Sequence, residues 1–269
     1  MRIFPLWKPI VWVIFIFASF NIATNASAKE LVFILAGQSN MAGQGNTAEL
    51  AQSYRRTPAN VNFYYNGYKT PMERFAHFGP EIGFAHEISR RFPHTQIKLI
   101  KFAVGGTSLL AWDPKWSVSK ARITRNASAG PLFKKLIKTA NINFNESEST
   151  LAGILWMQGE ADAKYPKVAR QYVKNLNSFI YALRGEFNSP NALFIMGAVN
   201  PPEKLFPATA IVQQAQKNAA AQIRNLRLVN TQDLSKRNDH LHYNTQGQLM
   251  LGKRFARAYL SSQLAQNHH

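Results

Sequence analysis

A serine between glycines, a histidine three residues after an aspartate, and two glycine-rich loops are the parts of this sequence that could do chemistry. Ser39 stands in Gly37-Gln38-Ser39-Asn40-Met41-Ala42-Gly43, directly after an apolar run at 31–36. A hydroxyl at the carboxyl end of a buried strand can point into the crevice beyond the sheet. Its own N–H, at a helix start, can then face a developing oxyanion. Serine is also a favoured helix N-cap, so the position alone leaves both roles open.

A nucleophilic serine needs a base. Near the C-terminus stands Asn238-Asp239-His240-Leu241-His242-Tyr243-Asn244, just ahead of a helical pattern. In a tight loop, a spacing of three lets the Asp239 carboxylate hold His242 Nδ1–H while Nε2 faces the serine. His240 adjoins Asp239 in sequence, so its side chain is expected to diverge from it. The competing reading is a capping aspartate beside a surface histidine.

Two further loops follow apolar runs. In Val104-Gly105-Gly106-Thr107-Ser108 the glycines expose backbone N–H groups without side-chain obstruction. In Trp156-Met157-Gln158-Gly159-Glu160 the Gln158 amide could donate to an oxyanion. A plain turn and a loop hydrogen bond are the bland alternatives. Taken together, the four segments supply nucleophile, base, orienting acid and oxyanion donors, the full set for acyl transfer.

The elements that must position them are legible as period. Continuous apolar runs at 31–36, 97–104, 151–157, 192–199 and 226–229 read as strands buried on both faces, the second interrupted by Lys98 and Lys101. Helical patterns lie at 80–92, 164–184, 208–224 and 245–264, with Leu251, Phe255 and Tyr259 on one face of the last. Alternation of strand and helix predicts an α/β fold whose parallel sheet is covered on both sides. All four chemical segments then fall on the same sheet edge. Stretches 42–78 and 111–129 lack a regular period and are expected at the rim of the site.

The first 28 residues read as an export signal rather than fold. Arg2 and Lys8 precede an uncharged stretch with an apolar core at 10–20, and Ala26-Ser27-Ala28 closes it as a small-x-small cleavage site. The core is shorter than the ~20 residues of a spanning helix, so no membrane span is expected after cleavage; an uncleaved membrane anchor is the competing reading. Residues 29–269 are then one domain, exported to the periplasm or beyond and expected to be a monomer.

Composition narrows the classes further. The chain has 269 residues, no cysteine, and a formal net charge of +18 from 32 Lys+Arg against 14 Asp+Glu. A thiol nucleophile, a disulfide scaffold and a cysteine metal site are excluded. With 46% hydrophobic residues the chain is not disordered. The positive charge has no stripe, only local clusters such as Lys134, Lys135 and Lys138. With no nucleic-acid motif and an export signal, it reads as a surface property rather than a nucleic-acid footprint.

The motifs as a set resemble the sialate O-acetylesterase-like, carbohydrate esterase family 6 branch of the SGNH hydrolases. Gly37-Gln38-Ser39-Asn40-Met41, Gly105-Gly106-Thr107-Ser108, Trp156-Met157-Gln158-Gly159-Glu160 and Asp239-His240-Leu241-His242 look like its four blocks in order, and Phe78-Gly79-Pro80-Glu81 like a further element. The resemblance implies a flavodoxin-like three-layer α/β/α sandwich around a mostly parallel five-stranded sheet. It implies Ser39 as nucleophile, His242 as base and Asp239 as its orienter. The oxyanion hole would be the Ser39 N–H, the Gly105 or Gly106 N–H and the Gln158 side chain. The implied activity is removal of O-acetyl groups from a sugar, without metal or cofactor. A glycan-binding protein on the same scaffold, or an esterase for another acyl ester, is the alternative.

Several neighbours are candidates for substrate binding or site support: Gln38, Asn40, Glu81, Thr107, Trp112 and Glu160. Glu160 and Asp162 resemble paired carboxylates, but acids at a helix start have an ordinary structural reason. Trp112 could stack on a sugar or fill a small core under its loop. His77, His86 and His94 have no metal-ligand spacing.

Overall fold

The computed structural model describes residues 29–266. The proposed export signal therefore lies outside the described residues, as do His268 and His269. In chain order the elements are β1 (Glu30–Gly37), α1 (Ser39–Ala42), β2 (Gly45–Asn46), β3 (Val61–Tyr65), β4 (Tyr68–Lys69), β5 (His77–Phe78), α2 (Glu81–Arg91), β6 (Ile97–Ala103), α3 (Val118–Arg122) and α4 (Leu132–Asn141). They continue with β7 (Ser149–Met157), α5 (Pro166–Ala169), α6 (Tyr172–Glu186), β8 (Leu193–Gly197), α7 (Thr209–Gln222), β9 (Leu226–Val229) and α8 (Thr245–Gln266).

The main sheet runs β4-β3-β6-β1-β7-β8-β9 and is parallel except for β4. The five apolar runs became its five central and right-hand strands. Val32 to Ala36 of β1 are fully buried, as a strand covered on both faces must be. Aromatic contacts separate the two covering layers. On one face Phe33 meets Phe84 of α2 at 4.8 Å and Tyr259 of α8 at 4.9 Å. On the other, Trp156 meets Phe179 of α6 at 4.5 Å, and Phe133 of α4 joins the same cluster.

Seven strands, not five, form this sheet. The 42–78 stretch supplies the two additional ones, because β3 sits toward an edge and alternates instead of running apolar: Val61 and Phe63 are buried while Asn62 and Tyr64 are half-exposed. A two-residue turn, Asn66-Gly67, joins β3 to β4 with φ of 51° and 90°. Positive φ at both positions suits the right-handed twist of a hairpin, and Asn-Gly is the pair that adopts it most easily. The predicted helix at 164–184 is also divided. Pro166 starts α5 at its first turn, and a break at 170–171 precedes α6.

Strand order decides where ligands can go. β1 has β6 on one side and β7 on the other, so the chain's crossovers diverge at β1. Open α/β sheets have their crevice at such a switch point, beyond the carboxyl ends. The residues that follow β1, β6 and β7 are the Ser39, Gly105-Gly106 and Gln158–Glu160 segments.

Candidate active site

β1 ends in Gly37 at φ 147°, where an added Cβ would stand 2.1 Å from the Met157 carbonyl oxygen of β7. Only glycine lets the two strands stay this close at their ends. Gln38 N–H donates to Met157 O (2.9 Å), and the chain turns into α1, a single helical turn headed by Ser39. An N–H at the first helical position has no intrahelical acceptor. Those of Ser39, Gly105 and Gly106 have no backbone acceptor among the described residues. Gly105 lies against the serine: a Cβ there would be 3.6 Å from Ser39 Cβ.

Across the crevice a short loop between β9 and α8 is closed by an antiparallel bridge between Lys236 and Tyr243. Arg237 N–H donates to His242 O (2.8 Å), and His240 turns the chain at φ 55°. Within this loop Asp239 Oδ1 accepts the Leu241 and His242 N–H groups, each at 2.9 Å. Its Oδ2 pairs with His242 Nδ1 at 2.7 Å. His242 Nε2 is 2.9 Å from Ser39 Oγ. With Nδ1–H held by the carboxylate, Nε2 is the acceptor for the serine hydroxyl. Burial works against ionisation of Asp239, but the hydrogen bonds from His242 and Leu241 outweigh it and bring its carboxyl down to about 2. His240, as expected, is exposed and takes no part.

The remaining candidates are buried supports. Gln38 Oε1 accepts from Ala161 N–H at 3.2 Å. Asn40 donates to Glu160 Oε1 (2.9 Å) and accepts from Tyr243 N–H (3.0 Å). Glu160 is 1% exposed, and its Oε2 has no partner among the described residues. Burial pushes its carboxyl up against the opposing hydrogen bond from Asn40. Glu81 accepts from Gly79 N–H (2.9 Å) and pairs with Lys101 (2.7 Å), so it fixes the loop before α2.

Two expectations need correction. Gln158 does not present its amide to the crevice. It is fully buried, with Nε2 donating to Thr107 O (2.9 Å) and to Asp162 Oδ2 (2.5 Å). Both amide hydrogens are thereby used, which removes it as an oxyanion donor in this arrangement. Trp112 is not a sugar platform either. It is fully buried, 5.3 Å from Trp156 and 5.7 Å from Phe102, because its indole N–H reaches Thr107 Oγ1 at 3.0 Å. It braces the Gly105-Gly106 loop from beneath.

Asp162 is a support that the sequence offered as half of a carboxylate pair or as a helix-start acid. Its carboxylate accepts from Ser108 Oγ (3.0 Å) and Leu109 N–H (3.0 Å) as well as from Gln158, tying the loop after β6 to the loop after β7. Burial raises its carboxyl to about 6 despite those bonds. Among the described residues no group of three or more His, Asp or Glu side chains is arranged to hold a metal ion, and no helix is long and apolar enough to cross a membrane.

The chain is 24% identical over 255 residues to the probable carbohydrate esterase At4g34215 of Arabidopsis thaliana, covering 86% of this chain and 90% of that protein. The crystal structure of that Arabidopsis protein matches with a TM-score of 0.73 at 23% identity, over 87% of this chain and 98% of the other. XAC1771, a carbohydrate acetylesterase from Xanthomonas citri, matches at 0.67 and 16% identity, over 85% of this chain and 55% of that one. NanS matches at 0.65 and 14% identity, over 88% and 98%. Those structural likenesses establish the fold. The match of residues 29–261 to the family described as carbohydrate esterase, sialic acid-specific acetylesterase, spans most of the chain, and the protein belongs to that family of carboxylic ester hydrolases.

Proposed function

We propose that the protein is an exported serine esterase that removes O-acetyl groups from a carbohydrate through an acyl-enzyme on Ser39. The observation that carries the reading is the unbroken line Ser39 Oγ–His242 Nε2–Nδ1–Asp239, with links of 2.9 and 2.7 Å. Membership of an acetylesterase family supports the ester and the sugar. Export rests on the sequence of residues 1–28.

Ser39 Oγ attacks the acetyl carbonyl carbon while His242 Nε2 takes the hydroxyl proton. Negative charge collects on the former carbonyl oxygen. The backbone N–H groups of Ser39 and of Gly105 or Gly106 are the donors free to meet it; removing one such donor costs on the order of 10²–10³ in rate. The C–O bond to the sugar then breaks, and His242 returns its proton to the departing oxygen. Water, deprotonated by the same imidazole, attacks the acetyl-Ser39 ester; the bond from the acyl carbon to Oγ breaks, His242 returns the proton to Oγ, and acetate leaves. Asp239 stays ionised throughout and stabilises the imidazolium.

The test is acetate release from a panel of acetylated glycans, with Ser39→Ala as control and an active-site serine probe in parallel. Loss of both turnover and labelling in Ser39→Ala supports the assignment. Full hydrolysis of an aryl acetate by Ser39→Ala would sink it, and a wild-type protein that binds glycan without labelling would be a lectin-like relative.

A further inference from the structure

Beside the reacting groups lies a cavity of about 300 Å³ that the mechanism above does not use. It is lined by Ala42 and Gly43, which close the helical turn headed by Ser39, and by Phe63, Tyr65 and Phe75, with the exposed Ala76 and His77 at its rim. Ser39, Gly105 and His242 do not line it, so it adjoins the reaction centre without containing it. His77 lines both this cavity and a smaller one of about 140 Å³ bordered by Arg237 and Asn244. Those two residues bracket the Asp239–His242 loop. The cavity thus shares a wall with the helical turn that carries Ser39, and one lining residue with the cavity beside the histidine loop.

Its chemistry is mixed. Tyr65 and Phe75 meet edge-to-face at 5.1 Å, giving two half-buried aromatic walls at a steep angle. At the floor is Lys101, only 2% exposed, its ammonium 5.7 Å from the Tyr65 ring. Nζ donates to Ala42 O (2.8 Å) and Glu81 Oε2 (2.7 Å). An ammonium has three hydrogens, so one is left without an acceptor among the described residues. That hydrogen can donate to an oxygen that enters the cavity.

We propose that this cavity is a subsite for the sugar ring adjoining the acetylated one. The proposal rests on the esterase reading above and specifies its substrate as an acetylated oligosaccharide rather than a lone sugar. A pyranose has an apolar face to lie on an aromatic wall and hydroxyl oxygens to accept from Lys101. The volume sits at the low end for small-molecule sites, enough for one ring and not for a length of chain.

Two measurements test it. In saturation-transfer NMR, Ser39→Ala protein is mixed with xylobiose, cellobiose or N,N′-diacetylchitobiose, which needs no turnover. Transfer to at least one disaccharide is expected, and its loss in Ser39→Ala/Phe75→Ala. In the second, wild type is compared on peracetylated disaccharides and monosaccharides of the xylose and glucose series. A disaccharide preference of about 10-fold in kcat/KM, the size of one aromatic contact, is expected in one series and should fall toward unity in Phe75→Ala. His77→Ala, at an exposed rim position, repeats the comparison should Phe75→Ala unfold. No transfer to any disaccharide, or transfer and ratio unmoved by the substitutions, overturns the subsite. So does a Phe75→Ala effect confined to butyrate over acetate esters, which would mark an acyl pocket. Inactivity of wild type toward every ester would instead strike the esterase reading, while the NMR result still decides the subsite.

Discussion

The side-chain oxygen of Asn40 accepts the backbone N–H of Tyr243 at 3.0 Å, so the residue after the proposed nucleophile is bonded to the residue after the proposed base. The same amide donates to Glu160 Oε1 and, at 3.3 Å, to Leu241 O. One side chain thus spaces three loops. In Asn40→Ala the serine and histidine keep their chemistry but lose this spacer. We expect kcat on 4-nitrophenyl acetate to fall about 10²-fold, the usual result of a misplacement near 1 Å, with little change in KM. Wild-type kcat in Asn40→Ala would refute the spacing role.

Asp239 is held by three bonds from its own loop, so Asp239→Asn should leave the fold intact. An amide at this position no longer fixes the His242 tautomer or stabilises the imidazolium. The expected loss is about 10³–10⁴ in kcat, measured with 4-nitrophenyl acetate. A drop under 10-fold would assign the orienting role elsewhere.

The Glu81–Lys101 pair is buried at both ends, with side-chain exposures of 3% and 2%. Burial pushes the Lys101 ammonium down, and Glu81 opposes that shift. Removing one partner strands the other charge, so Lys101→Met should cost about 3–5 kcal/mol in urea unfolding, and Lys101→Met/Glu81→Gln distinctly less than the single change. Equal losses in the single and double variants would contradict the pairing.

Asp162 gives the folded state a defined pH response. Its carboxyl is raised from an ordinary 3.8 to about 6, so between those values the folded protein binds more protons than the unfolded chain. Stability from this group is then complete below about pH 4 and falls as pH rises through 6, by roughly 3 kcal/mol. Thermal unfolding across pH 4–7 should show this slope in wild type and not in Asp162→Asn. A wild-type curve that rises through the same window after subtraction of the variant would reverse the sign and defeat the assignment.

Sequence reading reached the sheet centre and the juxtaposition of Ser39, His242 and Asp239 because both leave strong local marks. Strands buried on two faces must be apolar throughout, and the Asp239–His242 spacing closes its own loop. It missed what depends on partners far along the chain. The β3–β4 hairpin alternates weakly, although Asn66-Gly67 was there to be read. α4 carries Leu132, Phe133, Leu136 and Ala140 on a buried face, which its exposed Lys134, Lys135 and Lys138 obscured. Gln158 and Trp112 have the right types for oxyanion and sugar contact, and only packing shows that Thr107 and Asp162 engage them first.

The contact between Ser39 and His242 spans 203 residues. The histidine loop leads directly into α8, whose Phe255 and Tyr259 are buried in the core. The N-terminal part of the sheet can therefore carry Ser39 without its partner, and Ser39 meets His242 only when the final helix docks. Truncation within α8 should abolish esterase activity while leaving every residue of the triad in the chain.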